Sequence, residues 1–389
     1  MEEWKEYQLK DVTTILGDGL HGTPKYDENG TVFFINGNNL VDGKIEIKDS
    51  TKRVSEYEAN KYRKNLTPRT ILVSINGTIG NVAKYKGEAC ILGKSACYFN
   101  VADNFDLNFI YYVIASQQFK DTITHLATGT TIKNVSLETM RNYSFMAPSI
   151  NEQKRISSIL SSFDDKIELN RRINDNLEQQ AQALFDHYFD SGSIYLEDSI
   201  MGCLTDIAVY LNGLAMQKFP ATDIERSLPV LKIKELGQRK CDDCSDRCSD
   251  SIDADYIIDN EDIIFSWSGT LMVDVWCGGK CGLNQHLFKV TPLKNYPRWF
   301  VYYWTNRHLK KFKLIAKDKA VTMGHIRRGD LENAEVAIPT NLNMLEINAR
   351  INPLFQSIID RRLEITKLEN IRDALLPKLM SGELTINEI

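Results

Sequence analysis

Two stretches of this chain repeat one pattern 192 residues apart. Ile71-Leu72-Val73-Ser74-Ile75-Asn76-Gly77-Thr78 is echoed by Ile263-Ile264-Phe265-Ser266-Trp267-Ser268-Gly269-Thr270. Ala147-Pro148 returns as Ile338-Pro339, displaced by 191, and Ser191-Gly192 returns as Ser381-Gly382, displaced by 190. Three anchors agree on one period, and two periods use almost all of the 389 residues. Solenoid repeats run about 20–50 residues, so a period this long is a duplicated domain. Duplication lets one chain present two related surfaces.

Apolar residues make up 43% of the chain and charged residues 25%, so each copy can bury a core. No run of 18 apolar residues occurs, and the opening Met1-Glu2-Glu3-Trp4-Lys5 lacks an apolar signal stretch. A cytoplasmic protein with reduced thiols is the expectation. The net charge of −5 argues against a self-sufficient nucleic-acid clamp, because phosphate neutralisation normally demands a basic excess. The average hides a split. Lys294 to Arg328 holds ten basic residues against Asp318 alone, whereas Asp242 to Asp262 holds nine acids against Arg247 alone. The acidic stretch reads as a solvated face. The basic stretch is interleaved with Trp299, Tyr302, Tyr303 and Trp304, which points to a binding face.

Each half has the same plan, a strand-rich region followed by a long helix. Short strand runs bounded by Gly, Asn or Asp are Val32–Ile35, Thr70–Val73, Val230–Ile233 and Asp262–Phe265. Amphipathic helical runs are Phe109–Phe119 and Trp299–Phe312, and the natural class is α+β. The first long helix starts after Pro148, where Ser149 and Glu152 stand in capping-box spacing. The second starts after Pro339, with Asn343 and Glu346 in the same spacing. Their apolar stripes, Ile156 to Tyr188 and Ile347 to Leu379, step by threes and fours, the 3.5-residue repeat of a coiled coil. Two matched stripes favour pairing with each other. Asn170 and Arg361 hold corresponding places on them, where polar residues fix register. Pro353 should kink the second helix and Pro377 should end or kink it. Helices of about 40 residues extend about 60 Å, enough to act as a ruler.

Several catalytic patterns fail. Gly17-Asp18-Gly19-Leu20-His21-Gly22 fits a dinucleotide string, with Asp42 20 residues after Gly22. Thr23-Pro24 follows where a helix must start, so no helix N-terminus exists to hold a pyrophosphate. Gly93-Lys94-Ser95 resembles the end of a P-loop, but Gly87 leaves five intervening residues where four are needed. Asn352-Pro353-Leu354 lacks the second proline and the aromatic of an amino-methyltransferase, and His125, His286 and His325 are scattered. Cys241-x2-Cys244-x3-Cys248 with Cys277-x3-Cys281 supplies enough thiols for zinc. The spacing is irregular and the first half has no counterpart, so neither a metal nor a cofactor is assigned.

Two paired features survive. The Gly-Thr turns carry Asn76 and Thr78 in one half and Ser268 and Thr270 in the other. The segment with Thr130, Thr131, Lys133 and Asn134 is matched by one with Thr322, His325, Arg327 and Arg328. Hydroxyls, amides and long cations on loops are the groups that hold phosphates and read base edges. Lys310, Lys311 and Lys313 add phosphate-binding candidates. Recurrence at matched places tips these segments from plain turns towards binding.

Gly129-Thr130-Thr131-Ile132-Lys133-Asn134 running through Pro148 to Asn151-Glu152-Gln153-Lys154-Arg155-Ile156 closely resembles the specificity subunit of a type I restriction–modification system. In the second half Thr322-Met323-Gly324-His325-Ile326-Arg327 through Ile338-Pro339 carries the likeness, and Leu375-Leu376-Pro377-Lys378-Leu379-Met380-Ser381-Gly382-Glu383 looks like the family's ending. Asn343-Met344-Leu345-Glu346 departs from the commoner Glu-Gln pair. The resemblance implies two tandem α/β target recognition domains, residues 1–148 and 191–342, separated by long helices, 149–190 and 343–389. The helices would form an antiparallel coiled coil, giving a pseudo-two-fold internal repeat. It further implies a non-catalytic subunit that binds double-stranded DNA at a bipartite site. Its partners would be two DNA methyltransferase subunits and restriction/translocase subunits, with no membrane. A coiled-coil adaptor that never touches DNA, and a zinc-dependent enzyme built on the second-half cysteines, are the competing readings.

Overall fold

The computed structural model describes residues 4–129, 133–190, 193–197, 199–224, 226–318 and 326–384. The chain divides into two compact units, residues 1–165 with 370–389, and residues 166–369. These are not the two sequential halves, because the end of the second long helix belongs with the first unit.

In the first unit the strands of three or more residues are β1 (Lys5–Gln8), β2 (Thr13–Asp18), β3 (Val32–Ile35), β4 (Thr70–Ser74), β5 (Val82–Lys84), β6 (Cys90–Leu92), β7 (Ala96–Val101) and β8 (Ser144–Ala147). A four-stranded antiparallel sheet has the order β2-β7-β4-β5, β3 runs parallel to β6, and β1 pairs with β8. The second unit carries β9 (Ile200–Cys203), β10 (Ala208–Asn212), β11 (Ser227–Leu231), β12 (Ile263–Ser266), β13 (Met272–Val275), β14 (Cys281–Leu283), β15 (Leu287–Pro292) and β16 (Glu335–Ile338). The order β10-β15-β12-β13, the parallel pair β11/β14 and the pair β9/β16 reproduce the first unit's topology. The repeat in sequence is thus a repeat in fold. The run expected at Val230–Ile233 is strand only as far as Leu231, and Ile233 opens a short helix.

The central strands β4 and β12 read as unbroken apolar runs because both faces are covered. Ile71 and Val73 enter one core while Leu72 enters another, and Ile263 and Phe265 part from Ile264 in the same way. In the first unit the larger core takes Phe109 from α1 (Leu107–Ala115) and Phe119 from α2 (Gln117–His125). These two helices replace the single run expected at Phe109–Phe119. Ser116 breaks it by capping the second helix, its hydroxyl accepting from the Phe119 N–H at 3.2 Å. After them comes α3 (Leu137–Arg141).

The long helices are α4 (Ile150–Phe189) and, after α5 (Arg298–Asp318) and α6 (Arg328–Glu332), α7 (Asn341–Ser381). Ser149 caps α4 weakly, its hydroxyl accepting from the Glu152 N–H at 3.5 Å. α7 starts two residues before the expected Asn343, because the Thr340 hydroxyl accepts from the Asn343 N–H at 3.4 Å. Pro353 and Pro377 both lie inside α7, so Pro377 does not end the helix. Gly382 follows it with φ +74°, the left-handed turn that ends many helices. Ser191-Gly192, the first-half counterpart, lies outside the described residues. In the first unit Ile156 and Leu160 of α4 share a core with Leu379 of α7.

In the second unit α4 and α7 lie antiparallel. Buried Asn170 accepts from Arg361 at 3.1 Å and donates to Glu364 at 2.8 Å, and Asn174 donates to the Ile358 carbonyl at 3.4 Å. The ion pairs Arg171–Glu369 and Glu178–Arg362, each 2.8 Å, are related by the repeat itself, since 171 + 191 = 362 and 178 + 191 = 369. Arg362 also pairs with Asp274 of β13 at 2.5 Å, and both side chains are less than a tenth exposed. Burial opposes the guanidinium charge, but Asp274 and Glu178 more than offset it and hold the group charged. Removing one partner of a buried ion pair strands the other charge. We expect Asp274→Ala to lower the unfolding free energy by about 3–5 kcal/mol in urea titrations, and Asp274→Ala with Arg362→Met to lower it by less. A loss below about 1 kcal/mol would mean that the pair is solvated rather than buried.

Candidate nucleic-acid interface

Each central strand ends on a residue whose backbone joins two loops. In the first unit the Ile75 N–H donates to the Ser95 carbonyl at 3.0 Å, and its own carbonyl accepts from the Val135 N–H at 2.8 Å. In the second unit the Trp267 N–H donates to the His286 carbonyl at 3.4 Å, and its carbonyl accepts from the Ile326 N–H at 3.0 Å. The same junction is built twice from different side chains. Gly77 and Gly269 follow in the left-handed region, with φ +74° and +62°, and turn each chain back towards β5 or β13.

In the first unit this junction gathers several of the expected residues. Asn76 and Asn134 form a backbone bridge, the Gly77 N–H donates to the Lys133 carbonyl at 3.3 Å, and Asn134 exchanges backbone hydrogen bonds with Thr128. Thr78 and Lys133 are exposed and Asn76 and Asn134 half-buried, while the Ser74 hydroxyl donates to the Thr78 carbonyl inside the turn. Thr130 and Thr131 lie outside the described residues. In the second unit Thr270 is exposed, but Ser268 is buried with its hydroxyl 3.0 Å from His286 Nδ1. Arg327 and Arg328 are exposed immediately beyond Ile326. The Arg327 N–H donates to Asp330 at 2.8 Å, and Arg328 lies 3.5 Å from Glu332, so α6 fixes the backbone and leaves the guanidiniums outside. Thr322 and His325 lie outside the described residues.

Lys310, Lys311 and Lys313 are exposed on α5, and among the described residues none bonds to the turn. Of the cations between the aromatic residues, Arg307 lies over the Trp304 ring at 5.5 Å, whereas the exposed lysines stand apart from the aromatic face. Trp299, Tyr303 and Trp304 are buried and Tyr302 packs on Phe355 at 5.4 Å, because α5 turns its aromatic side into the core. Arg307 is spent on Asp190 at 2.5 Å, and Arg298 on Glu261. A mixed aromatic and basic face is therefore not what this stretch forms. Its remaining resource is a row of exposed lysines.

The strings that mimic cofactor motifs have local causes. A Cβ on Gly19 would come within 2.2 Å of the Leu92 carbonyl oxygen, and one on Gly213 within 2.3 Å of that of Asn284. These glycines permit a close backbone crossing, again in both halves. The second-half cysteines are divided. Cys241 packs against the cluster that holds Cys281, and that neighbour together with burial keeps Cys281 a protonated thiol, whereas Cys248 and Cys277 belong to two other apolar clusters. Burial raises Cys277 to about 11. Among the described residues no three His, Cys, Asp or Glu side chains gather into a metal cluster.

The family profile described as the type I restriction modification DNA specificity domain matches residues 1–179 and again 201–372. The chain belongs to that family. Both matches carry one copy of the strand-end junction. Among relatives in this family is the type I restriction enzyme MjaIX specificity subunit of Methanocaldococcus jannaschii, 24% identical across the whole of this chain and 95% of the relative. Another is the EcoBI specificity subunit of Escherichia coli, 20% identical over 90% of this chain and 81% of the relative. The crystal structure of a type I restriction–modification system S subunit from M. genitalium is similar in fold, with TM-score 0.59, 18% identity, and 97% and 96% of the two chains covered.

The turn geometry can be checked directly. Gly77→Ala places an L side chain in the left-handed region and should cost about 1–2 kcal/mol of stability, read as a lower urea midpoint. Unchanged stability would mean that the turn adopts another conformation.

Proposed function

We propose that this chain is the DNA-specificity subunit of a type I restriction–modification complex, each half reading one part of a bipartite, asymmetric DNA site. The observation that carries this reading is the family match over both halves, each with its own copy of the junction at Ile75 or Trp267. Asn76, Thr78, Thr130, Thr131, Lys133 and Asn134 would contact the half-site of the first copy. Ser268, Thr270, Thr322, His325, Arg327 and Arg328 would contact the other, with Lys310, Lys311 and Lys313 on phosphates. Ser268 enters through its link to His286, because its hydroxyl is engaged there and its carbonyl accepts from the Ser266 hydroxyl at 3.2 Å.

The subunit is non-catalytic in this reading, and methylation and cleavage belong to its partners: two DNA methyltransferase subunits and the restriction/translocase subunits. Those partners would supply the phosphate-neutralising charge that a chain of net charge −5 lacks. No described helix is long and apolar enough to cross a membrane. We assign recognition domains to residues 1–148 and 191–342 and the spacers to 149–190 and 343–389, with α4 and α7 as an antiparallel coiled coil that sets the gap between half-sites. The Asn170–Arg361 contact and the repeat-related ion pairs support that pairing. The adaptor reading draws no comparable support.

The test is to assemble the complex with its methyltransferase subunit and map methylated positions across a genome. A single bipartite motif with a fixed gap is expected; an assembled complex that methylates nothing would return the adaptor reading. Inserting one helical turn into each long helix should lengthen the gap and leave both half-sites readable, and an unchanged gap would remove the ruler. Arg327→Ala should cost about 1–3 kcal/mol of binding and relax one position of one half-site, as expected for loss of a bidentate base contact. A motif unaltered at every position would exclude base reading by Arg327.

A further inference from the structure

The junction has a third component in each half. The carbonyl accepting from Ile75 belongs to Ser95 of Gly93-Lys94-Ser95, the string that imitates a P-loop; the one accepting from Trp267 belongs to His286 of Asn284-Gln285-His286. These two loops are built alike. The Gly93 N–H donates to Ile35 at 2.8 Å and the Asn284 N–H to Leu231 at 3.2 Å. The Ala96 N–H donates to Gly93 and the Leu287 N–H to Asn284, each at 3.0 Å. Backbone is kept while every side chain differs: glycine, lysine and serine against asparagine, glutamine and histidine.

That combination is what two surfaces need if they share a scaffold and read different bases. Side-chain placement agrees with it. In the second unit His286 Nδ1 lies 3.0 Å from the Ser268 hydroxyl on the Gly-Thr turn, and its ring sits 6.1 Å from that of Trp267. Gln285 and His286 line a cleft of about 470 Å³ with Lys232 and Arg247 on its wall. Lys232 is paired with Asp246, Arg247 donates to Ser227 at 2.6 Å, and His286 is held by Ser268 through Nδ1, so the Gln285 amide is the least committed group and His286 offers Nε2. Gln285 Nε2 has His286 Nε2 as a neighbour at 3.4 Å, too long for a strong bond. In the first unit Ser95 is turned inward, its hydroxyl donating to Asn36 at 3.1 Å and accepting from the Gly37 N–H at 2.9 Å. Lys94 is left exposed beside the turn.

We propose that this third loop is a specificity-determining element in each half, with Gln285 and His286 in one and Lys94 in the other meeting base edges of double-stranded DNA. Glutamine pairs bidentately with adenine N6 and N7, and lysine suits guanine O6 and N7. The proposal rests on the DNA-specificity reading and is tested so that the two can fail separately. Gln285→Ala, His286→Ala and Lys94→Ala are each assembled with the methyltransferase subunit, and the methylated motif is mapped. The second-unit variants should make one position of a single half-site degenerate, with discrimination falling about tenfold or more, and Lys94→Ala should do the same to the other half-site alone.

An unchanged motif for all three overturns the loop assignment while the wild-type bipartite motif keeps the DNA reading intact. No bipartite motif from the wild-type complex overturns the DNA reading itself. Because His286→Ala also removes a contact to Ser268, a variant that methylates nothing is followed by duplex binding, with one base pair changed at a time. Gln285→Ala, which breaks no strong bond, is measured beside it. Selective loss of discrimination at one base pair supports base reading. Uniform weakening across all duplexes in both variants assigns the loop a structural role and overturns the proposal.

Discussion

The loops of both candidate surfaces depend on one residue at the end of each central strand. Ile75 and Trp267 leave the sheet with one backbone N–H and one carbonyl still to be satisfied, and an unpaired buried amide is costly. Each solves this by capturing a loop on either side. The strand beneath is buried on both faces, so the residue cannot move without disturbing two cores at once. A loop attached to so rigid a point inherits its position, and loop residues can then vary without loss of placement.

Much of this was legible in the sequence because duplication supplies a second measurement of every feature. The strands at Val32–Ile35 and around Thr70 and Ile263 show as apolar runs, and the long helices show as three-and-four stripes. Asn170 and Arg361 could be singled out as matched polar positions, and they do meet. The cap at the start of α7 was misplaced. Asn343 was the expected cap, and Thr340 takes the place instead, its hydroxyl accepting from the Asn343 N–H.

What misled the reading was composition taken without direction. Around Trp299 to Lys313 the lysines and the aromatics part onto different sides of one helix, with Arg307 over Trp304 between them, so a mixed stretch becomes a core face and a lysine face. Arg362 was missed for the reverse reason. It stands four residues after Ile358 and three before Ile365, which is a stripe position, and a charge there signals a buried partner that only the fold supplies from Asp274. The loop at His286 was set aside because histidines were weighed as catalysts. Its matched backbone hydrogen bonds have no signature in a single sequence.

The division of the chain carries a consequence for its synthesis. The core of the first unit includes Leu379, with Leu375 and Leu376 packed against it, so that core is not complete until this end of α7 has left the ribosome. The second unit, residues 166–369, is entirely made before then. The domain translated first therefore finishes last, and Ile156 and Leu160 wait for their partner while some two hundred residues are added. In that interval the nascent chain carries an open apolar seam of the kind that holdase chaperones bind and that invites misassembly between neighbouring chains on one messenger.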